Sequence, residues 1–271
     1  MSATDQEQRM PDRSPLGSVD KALMALQQLG DAGSQGLSLS SLARQLGLHK
    51  ASLHRTLAAL RHRNFVEQDE TTAAYRLGPN LLALADSYLR DGSLRGVLHE
   101  PLRTLSATVS ELCHLGTLSG NEIVYVDKVE PQRAIRVWSE TGRRSPALTT
   151  ALGRAIICQS FADFESFAVS FPDEIPARTP LTRRSPTAIW EELAAARARG
   201  FAKEEQENEA GIACVAVAIR RGGAAIAAIS VTAPHERMPF ERMVSVVETI
   251  HRTIAPSLAP GLSLQKPIAA S

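Results

Sequence analysis

The clearest pattern of apolar and polar positions lies in residues 40–66, SSLARQLGLHKASLHRTLAALRHRNFV. Its second half carries Leu53, Leu57 and Leu60, spaced four and then three residues apart, which places them on one face of an α-helix. A shorter apolar group precedes it, at Leu42, Ala43 and Leu46. Because glycine commonly ends a helix, Gly47 marks a tight turn between two short helices.

Elements on either side extend this helix pair. A first helix is predicted before it, with an apolar stripe at Val19, Leu23, Leu26 and Leu29. After the pair, residues 65–68 and 74–77 are typical of short strands, and the polar segment 69–72 forms a turn between them. Three helices followed by a small hairpin are the element order of a winged helix.

A strongly apolar helix is predicted after Gly78-Pro79, because proline suits the first turn of a helix. Its apolar residues are Leu81, Leu82, Leu84, Ala85, Tyr88 and Leu89. This density of leucine is too high for a solvated linker. We therefore expect a connecting helix that packs against its mate in a dimer, with packing inside its own chain as the alternative.

The pattern changes after Asp91-Gly92-Ser93, where a region of hairpin strands flanked by helices begins. Helices are predicted at 94–109, 149–161, 189–199 and 240–257, and strands at 113–118, 123–129, 135–138, 201–204, 213–219 and 225–232. Antiparallel strands covered by helices indicate an α+β domain. Residues 1–15 and 258–271 are polar or rich in proline, and we expect mobile tails there.

The distribution of charge adds a candidate function. The 271-residue chain has a net charge of only +1, so any surface for nucleic acid must be local. Residues 40–66 contain no acidic side chain and five basic ones: Arg44, Lys50, Arg55, Arg61 and Arg63. This pattern fits a helix-turn-helix that binds DNA. It also fits an ordinary helical hairpin with a solvated basic face.

Other motifs exclude several protein classes. Cys113, Cys158 and Cys214 lie in apolar runs without CxxC spacing, which predicts reduced thiols in the cytoplasm and no zinc ribbon. No signal-peptide core and no apolar run of membrane-spanning length is present. The chain also lacks the G-x-S-x-G and H-E-x-x-H motifs and a phosphate-binding loop, so no catalytic residue, metal site or cofactor is predicted.

The order of several segments resembles the isocitrate-lyase-regulator (IclR) family of bacterial transcriptional regulators. The resemblance covers about Leu16 to Ser257. Its segments are LARQLGLHKASLHRTLAAL, YRLGPNLLALADSYL, VYVDKVE, TGRRSPALTTALGRAIIC, ARARGFAKEEQENEAGIACVAVAI and AAISVTAP. Each segment alone is a weak signal, whereas six of them in this order and spacing are a strong one.

The resemblance implies a regulator in three parts. These are a winged helix-turn-helix at 16–78, a linker and dimerisation helix at 79–92, and an effector-binding domain at 93–257. The last would have a curved antiparallel sheet flanked by helices, as in GAF-like sensor domains. Family members bind palindromic operators as homodimers or dimers of dimers, repress or activate transcription, and respond to small metabolites, often organic or aromatic acids.

The DNA contacts are predicted from the helical positions opposite the buried stripe. We expect His54 and Arg55 to reach base edges, because the N-terminal half of a recognition helix enters the major groove and arginine pairs with guanine. Ala51 would permit close approach to the DNA. Phosphate contacts are expected from Arg44, Lys50, Ser52, Arg61 and Arg63, and from Arg76 on the wing.

The effector site is implied by the resemblance, not by spacing. The matching positions are Ala151, Leu152, Glu204, Cys214, Ser230 and Thr232. Cys214 also fits an ordinary core thiol, and Ser230 and Thr232 also fit strand packing. Two departures stand out: His49 replaces a proline common in the family, and Leu152 and Arg154 replace a smaller residue and a lysine.

Two other functional classes remain open from the sequence. The chain could be a ligand-binding or protein-interaction module whose winged helix binds no DNA. It could also be a small-molecule enzyme, although the scattered His114, His235 and His251 show no metal-ligand spacing. Binding to upstream DNA would separate the regulator from both.

Overall fold

The computed structural model describes residues 17–89, 93–131, 141–171 and 173–267. The chain divides into two compact units, residues 1–90 and 91–271. The strand predicted at 135–138 and the tail predicted at 1–15 lie outside the described residues.

The first unit is the predicted winged helix, followed by one more helix. Its elements are α1 (Gly17–Ala32), α2 (Leu39–Gln45), α3 (Lys50–His62), β1 (Val66–Gln68), β2 (Tyr75–Leu77) and α4 (Asn80–Leu89). The Ser38 hydroxyl accepts a hydrogen bond from the Ser41 N–H (3.2 Å) and so caps α2. β1 and β2 pair antiparallel as the wing.

The core of this unit confirms the stripe predicted on α3, since Leu53 and Leu57 are fully buried. The stripe predicted on α1 is partly wrong. Leu29 is buried as predicted, but Val19 and Leu23 are 52% and 54% exposed, and Ala25, which the predicted stripe left out, is buried. Several faces of a leucine-rich helix satisfy helical spacing, and only the packing partners select the face that is buried.

A close backbone joint connects the end of α3 to the start of α4. Gly78 N–H donates to the Phe65 carbonyl (2.8 Å), and Asn80 N–H donates to the Asn64 carbonyl (3.1 Å). The Asn80 side-chain amide donates to the Arg63 carbonyl at 2.7 Å. A side chain at Gly78 would lie 2.9 Å from backbone atoms of Asn64 and Val66, so only glycine fits.

The second unit has the predicted α+β class. Its elements are α5 (Leu94–Val109), β3 (Leu112–Ser119), β4 (Glu122–Val129), β5 (Arg144–Pro146), α6 (Ala151–Ile157), α7 (Phe164–Ser170), α8 (Pro186–Arg199), β6 (Ala202–Glu205), β7 (Ile212–Arg221), β8 (Ala224–Pro234), α9 (Phe240–Ile254) and β9 (Leu262–Leu264). In this described part, seven antiparallel strands form one sheet in the order β5-β4-β3-β8-β7-β6, with β9 beside β7.

Both faces of the sheet are buried, and alternate residues of a strand belong to the two different cores. Val215 and Val217 of β7 belong to the core beneath α5 and α9. Ala216 and Ala218 belong to the opposite core, beneath α6 and α8. The second face is lined with small residues, which lets α6 lie close to the strands.

The tail predicted at 258–271 is wrong for its first part. Leu262–Leu264 forms β9 and pairs with Ile219–Arg221 of β7. Leu264 and Gln265 are buried, and the Gln265 side-chain amide donates to the Ala196 carbonyl (3.2 Å). The proline-rich composition on either side gave no sign of this three-residue edge strand. The segment is a strand because it pairs with β7, and not because of its own composition.

We expect Gly153→Ala to destabilise the second unit by about 1–3 kcal/mol, because its Cβ would lie within 2.5 Å of the Ala147 backbone beneath α6. Thermal or urea denaturation would measure this loss. The matched control is Gly30→Ala in α1, where the nearest atom would be 3.7 Å away. That change should stabilise its own unit by about 0.5–1 kcal/mol, and a similar gain at Gly153 would contradict the close approach.

Candidate DNA-contacting face and effector site

The residues predicted to read bases lie together on the solvent face of α3. Ala51, His54, Arg55 and Ala58 are exposed, on the side of the helix opposite the buried Leu53–Leu57 stripe. The structure therefore presents the N-terminal half of α3 to solvent with histidine, arginine and two small side chains. That combination can approach a groove closely and hydrogen-bond to base edges.

Most of the predicted phosphate contacts surround this face. Arg44, in the last turn of α2, and Lys50, the first residue of α3, are both exposed. Arg61 donates to the Gln68 side chain of the wing at 2.7 Å. Ser52 is half-buried and accepts a hydrogen bond from Lys21 of α1 (3.3 Å).

The start of α3 shows how the chain accommodates His49. This residue precedes α3 with φ −67°, and its side chain makes no capping hydrogen bond. Proline fixes φ at about −65°, so His49 has the backbone angle that a proline would impose. The departure from the family pattern therefore leaves the geometry at this position unchanged.

The wing has acidic residues where a phosphate-binding surface would be basic. Arg76 lies 3.4 Å from the Glu67 carboxylate and 3.8 Å from that of Asp69. Hydrogen bonds to Asp69 from the Thr72 N–H and hydroxyl and from the Thr71 N–H lower the pKa of Asp69. Its carboxylate therefore stays ionised, and the Arg76 charge is balanced within the wing.

The predicted effector residues on the sheet form one row across three strands. Glu204 of β6 pairs with Cys214 of β7, and Cys214 pairs with Thr232 of β8. Ser230 lies two residues from Thr232 on the same face, opposite His114 of β3. Directly paired residues project to the same side of a sheet, so these side chains share the face that is covered by α6.

This row has a mostly uncharged polar character. The Cys214 Sγ lies 3.0 Å from the Thr232 hydroxyl, and the ring centroids of His114 and Tyr125 are 4.8 Å apart, with the two rings tilted by 46°. Burial lowers the pKa of His114 to about 3 and raises the pKa of Cys214 well above its usual range. The imidazole and the thiol are therefore neutral at physiological pH and can form hydrogen bonds without carrying charge.

The two predicted effector residues of α6 lie in the core beside this row. The Thr150 hydroxyl caps the helix by accepting from the Gly153 N–H (3.1 Å). Ala151 and Leu152 follow the cap and are buried among apolar neighbours. They form an apolar wall, and Leu152 is the bulkier of the two. The structure thus brings all six predicted effector positions into one region.

Glu204 is buried at the end of this row, and its carboxylate binds the backbone of the loop that follows β6. Its Oε1 accepts hydrogen bonds from the backbone N–H groups of Glu207 and Asn208, the second at 3.0 Å. Burial raises the pKa of Glu204 to about 7, against the effect of these N–H groups and of Arg154. Glu204 can therefore either donate or accept a hydrogen bond near neutral pH.

A buried arginine, Arg154, also binds the loop that follows β6. Arg154 of α6 is fully buried and donates to both oxygens of Glu207, at 2.8 and 2.6 Å. It also donates to the carbonyls of Leu148 (2.8 Å) and Lys203 (3.2 Å). The planar guanidinium thus joins the start of α6, strand β6 and the following loop.

Glu207 has further partners on the segment before α8. The backbone N–H of Arg183 donates to its carboxylate at 3.0 Å, and the Arg183 guanidinium also pairs with it. The Thr182 hydroxyl donates to the Glu207 carbonyl (2.7 Å). Burial alone would raise the pKa of Glu207, but the bonds from Arg154 and Arg183 outweigh it and lower that pKa. The carboxylate is therefore ionised.

Sequence reasoning did not identify this network. Arg154 was noted only as a departure from the family pattern, and Glu207 was one of several acids in the run KEEQENE. A usable signal was the single charged residue in the apolar segment ALGRAII, since a buried arginine requires an anionic partner. The partner itself, about fifty residues further along the chain, had no signal in the sequence.

Two features of the described residues bear on other functions. No set of three or more histidine, cysteine, aspartate or glutamate side chains among them has an arrangement that could hold a metal ion. In the same part of the chain, no helix combines the length and the apolar character needed to cross a membrane.

Family comparisons agree with this geometry. The model of the bacterial transcriptional regulator IclR C-terminal region matches residues 86–256, and that of the IclR helix-turn-helix domain matches residues 18–70. The glycerol operon regulatory protein of Streptomyces griseus is 32% identical over 253 residues, covering 90% of this chain and 97% of that protein.

Solved structures show the same fold. An IclR-type regulator from Silicibacter sp. TM1040 is similar with a TM-score of 0.79 and 29% identity, over 89% of this chain and 94% of that one. An IclR homologue from Microbacterium hydrocarbonoxydans, complexed with 4-hydroxybenzoate, is similar with a TM-score of 0.71 and 22% identity. The similarity to the Microbacterium protein covers 88% of this chain and 98% of that one.

The ion pair predicts unequal effects of its two partners. Glu207→Gln should lower the free energy of unfolding by about 3–5 kcal/mol, because Arg154 would stay charged and fully buried. Arg154→Met should cost less, since Glu207 keeps Arg183. Urea denaturation measures both. The control is Glu205→Gln, which breaks a partly exposed pair with Lys203 and should cost at most about 1 kcal/mol; a cost for Glu207→Gln no larger than for Glu205→Gln would contradict the buried pair.

Glu204 predicts a pH dependence of stability. Its folded pKa of about 7 exceeds the ordinary 4.5, so the fold retains a proton that the unfolded chain releases. The ionisation of Glu204 therefore lowers the free energy of unfolding; this loss is absent below pH 4.5 and complete above about pH 7. Compared with Glu204→Gln, the unsubstituted chain should lose stability across this interval in denaturation curves at successive pH values. A constant difference between the two proteins would show that this pKa is not raised.

Proposed function

The chain belongs to the IclR family of bacterial transcriptional regulators, and we propose that it binds operator DNA through α3 and releases or tightens that binding when a small organic acid occupies the face beneath α6. DNA binding that responds to a metabolite is the function of the family type to which both units belong. The observation that carries the proposal is the exposed basic face of α3 above a buried leucine stripe. Such a regulator acts in the cytoplasm, without catalysis.

We propose that Arg55 and His54 read base edges and that Arg44 and Lys50 bind phosphates on either side. All four side chains are exposed. The bidentate guanidinium of arginine matches the two acceptors of guanine, so Arg55 carries most of the sequence preference. Arg76 is the weakest of the proposed contacts, because Glu67 and Asp69 already balance its charge.

We propose that the protein is at least a homodimer. Leu82 and Leu84 of α4 are 74% and 57% exposed, and Val19 and Leu23 of α1 are also exposed. An apolar surface of this kind is usually covered by a partner, and a palindromic operator requires two recognition helices. A dimer of dimers is compatible with the same surface. Sedimentation analysis of the purified chain measures the state directly.

The effector that fits the face beneath α6 best is a small acid that also carries a hydroxyl group. The neutral thiol and hydroxyl of Cys214 and Thr232 offer hydrogen bonds without charge. Glu204 accepts from a ligand hydroxyl when ionised and donates to an oxygen when protonated. The Microbacterium homologue complexed with 4-hydroxybenzoate supports this class.

Thermal denaturation with a panel of acids tests this proposal, since a ligand that binds the fold raises its melting temperature. Compounds with and without a hydroxyl, such as 4-hydroxybenzoate and benzoate, distinguish the role assigned to Glu204. Equal shifts with both compounds would remove that role.

The alternative is a ligand-binding or interaction module without DNA binding. A gel shift with the DNA upstream of the gene and of its neighbours separates the two. The basic face of α3 favours the regulator, because an interaction module has no need for an acid-free surface.

Replacing Arg55 by alanine should weaken operator binding by about 1–3 kcal/mol and relax the preference at one base-pair position. Selection of bound sequences from a random pool, followed by titration of the preferred operator, measures both effects. Arg44→Ala is the matched control, because a lost phosphate contact weakens binding equally on every sequence. If Arg55→Ala behaves like Arg44→Ala, Arg55 does not read a base.

A further inference from the structure

A groove runs between α1 and α3 on the flank of the recognition helix. Its volume is about 570 Å³, and its walls include Lys21 of α1 together with Ser52, Arg55 and Arg63 on the α3 side. The floor is apolar and includes Ala22 and Leu60. The groove therefore combines an apolar floor with polar and cationic side chains along its edge.

The charge of this groove has one sign. Lys21, Arg55 and Arg63 are all cationic, and none of the described residues that line the groove carries a carboxylate. Lys21 is half-buried, and its ammonium donates to the Ser52 hydroxyl (3.3 Å). This bond holds the cation of α1 beside the N-terminal half of α3.

The opposite flank of α3 has a different electrostatic character. The wing carries Glu67, Asp69 and Glu70, and its Arg76 is paired with two of these acids. Arg61, on the same side, donates to the wing residue Gln68. A polyanion beside α3 is thus attracted to the α1 flank and repelled at the wing.

The length of the groove suits an extended anion. From Ser52 to Arg63 the helix rises about 16 Å, at 1.5 Å per residue. Charges on one DNA strand recur about every 3.4 Å along the helix axis. The cationic edge can therefore follow a segment of backbone, whereas a single small anion would engage only part of it.

We propose that this groove seats one strand of the DNA backbone, with Lys21 and Arg63 binding phosphates while Arg55 points from its edge toward the bases. Lys21, on α1, thereby joins the DNA-binding surface, and the backbone is anchored on the α1 side of α3, not at the wing. The proposal rests on the DNA binding proposed above and adds the site and the side of anchoring.

Fluorescence anisotropy with labelled operator DNA over a series of salt concentrations tests the proposal. Lys21→Gln should reduce the slope of log affinity against log salt by about 0.9, the value for one phosphate contact. Affinity should fall equally on operator and on unrelated duplex. Lys21→Arg should keep the slope, because it keeps the charge.

The control is Arg221→Gln, which removes one exposed charge from the end of β7 in the second unit and should leave the slope unchanged. Thermal denaturation of Lys21→Gln checks that the first unit remains folded. If the unsubstituted chain binds DNA and Lys21→Gln weakens binding without changing the slope, or changes nothing, Lys21 contacts no phosphate and the proposal is overturned. If the unsubstituted chain binds no DNA, the proposed function fails together with this site.

Discussion

The buried pair of Arg154 and Glu207 is the constraint on which the second unit depends. A charge without water is tolerated only when its partners satisfy it, and Arg154 is satisfied by one carboxylate and two carbonyls from separate segments. The loop after β6 must therefore lie where Glu207 meets this guanidinium. Its N–H groups then bind Glu204, so the position of the candidate effector acid follows from an ion pair in the core beneath it.

In the first unit the important feature is the uneven distribution of charge on the surface. The whole chain is almost neutral, so long-range attraction to DNA comes from the placement of charge and not from its sum. Basic side chains lie on α2, α3 and the α1 flank, and acids lie on the wing. The winged helix thus presents a basic recognition helix beside an acidic wing, and the wing adds no attraction for a polyanion.

Local patterns predicted the elements well but not their partners. The leucine spacing of α3 located its buried face correctly, because Leu53 and Leu57 agree with only one helical stripe. On α1 several leucine-containing stripes were possible, and the one chosen from spacing included the exposed Val19 and Leu23. β9 and the partner of Arg154 depend on contacts between residues far apart in the chain, and no local pattern carries that information. The effector positions came from the resemblance to the family; four of them share one face of the sheet, and the other two lie on α6, which covers that face.

The glycine joint between α3 and α4 has a mechanical consequence. Three hydrogen bonds and the close backbone contact at Gly78 tie Gly78 and Asn80, where α4 begins, to residues 63–65, which directly follow α3. The wing hairpin β1–β2 lies between the two helices in the chain, but these bonds join its two ends directly, so α4 is coupled to the end of α3. A rotation applied along α4 would break these bonds or be passed to the recognition helix as a tilt.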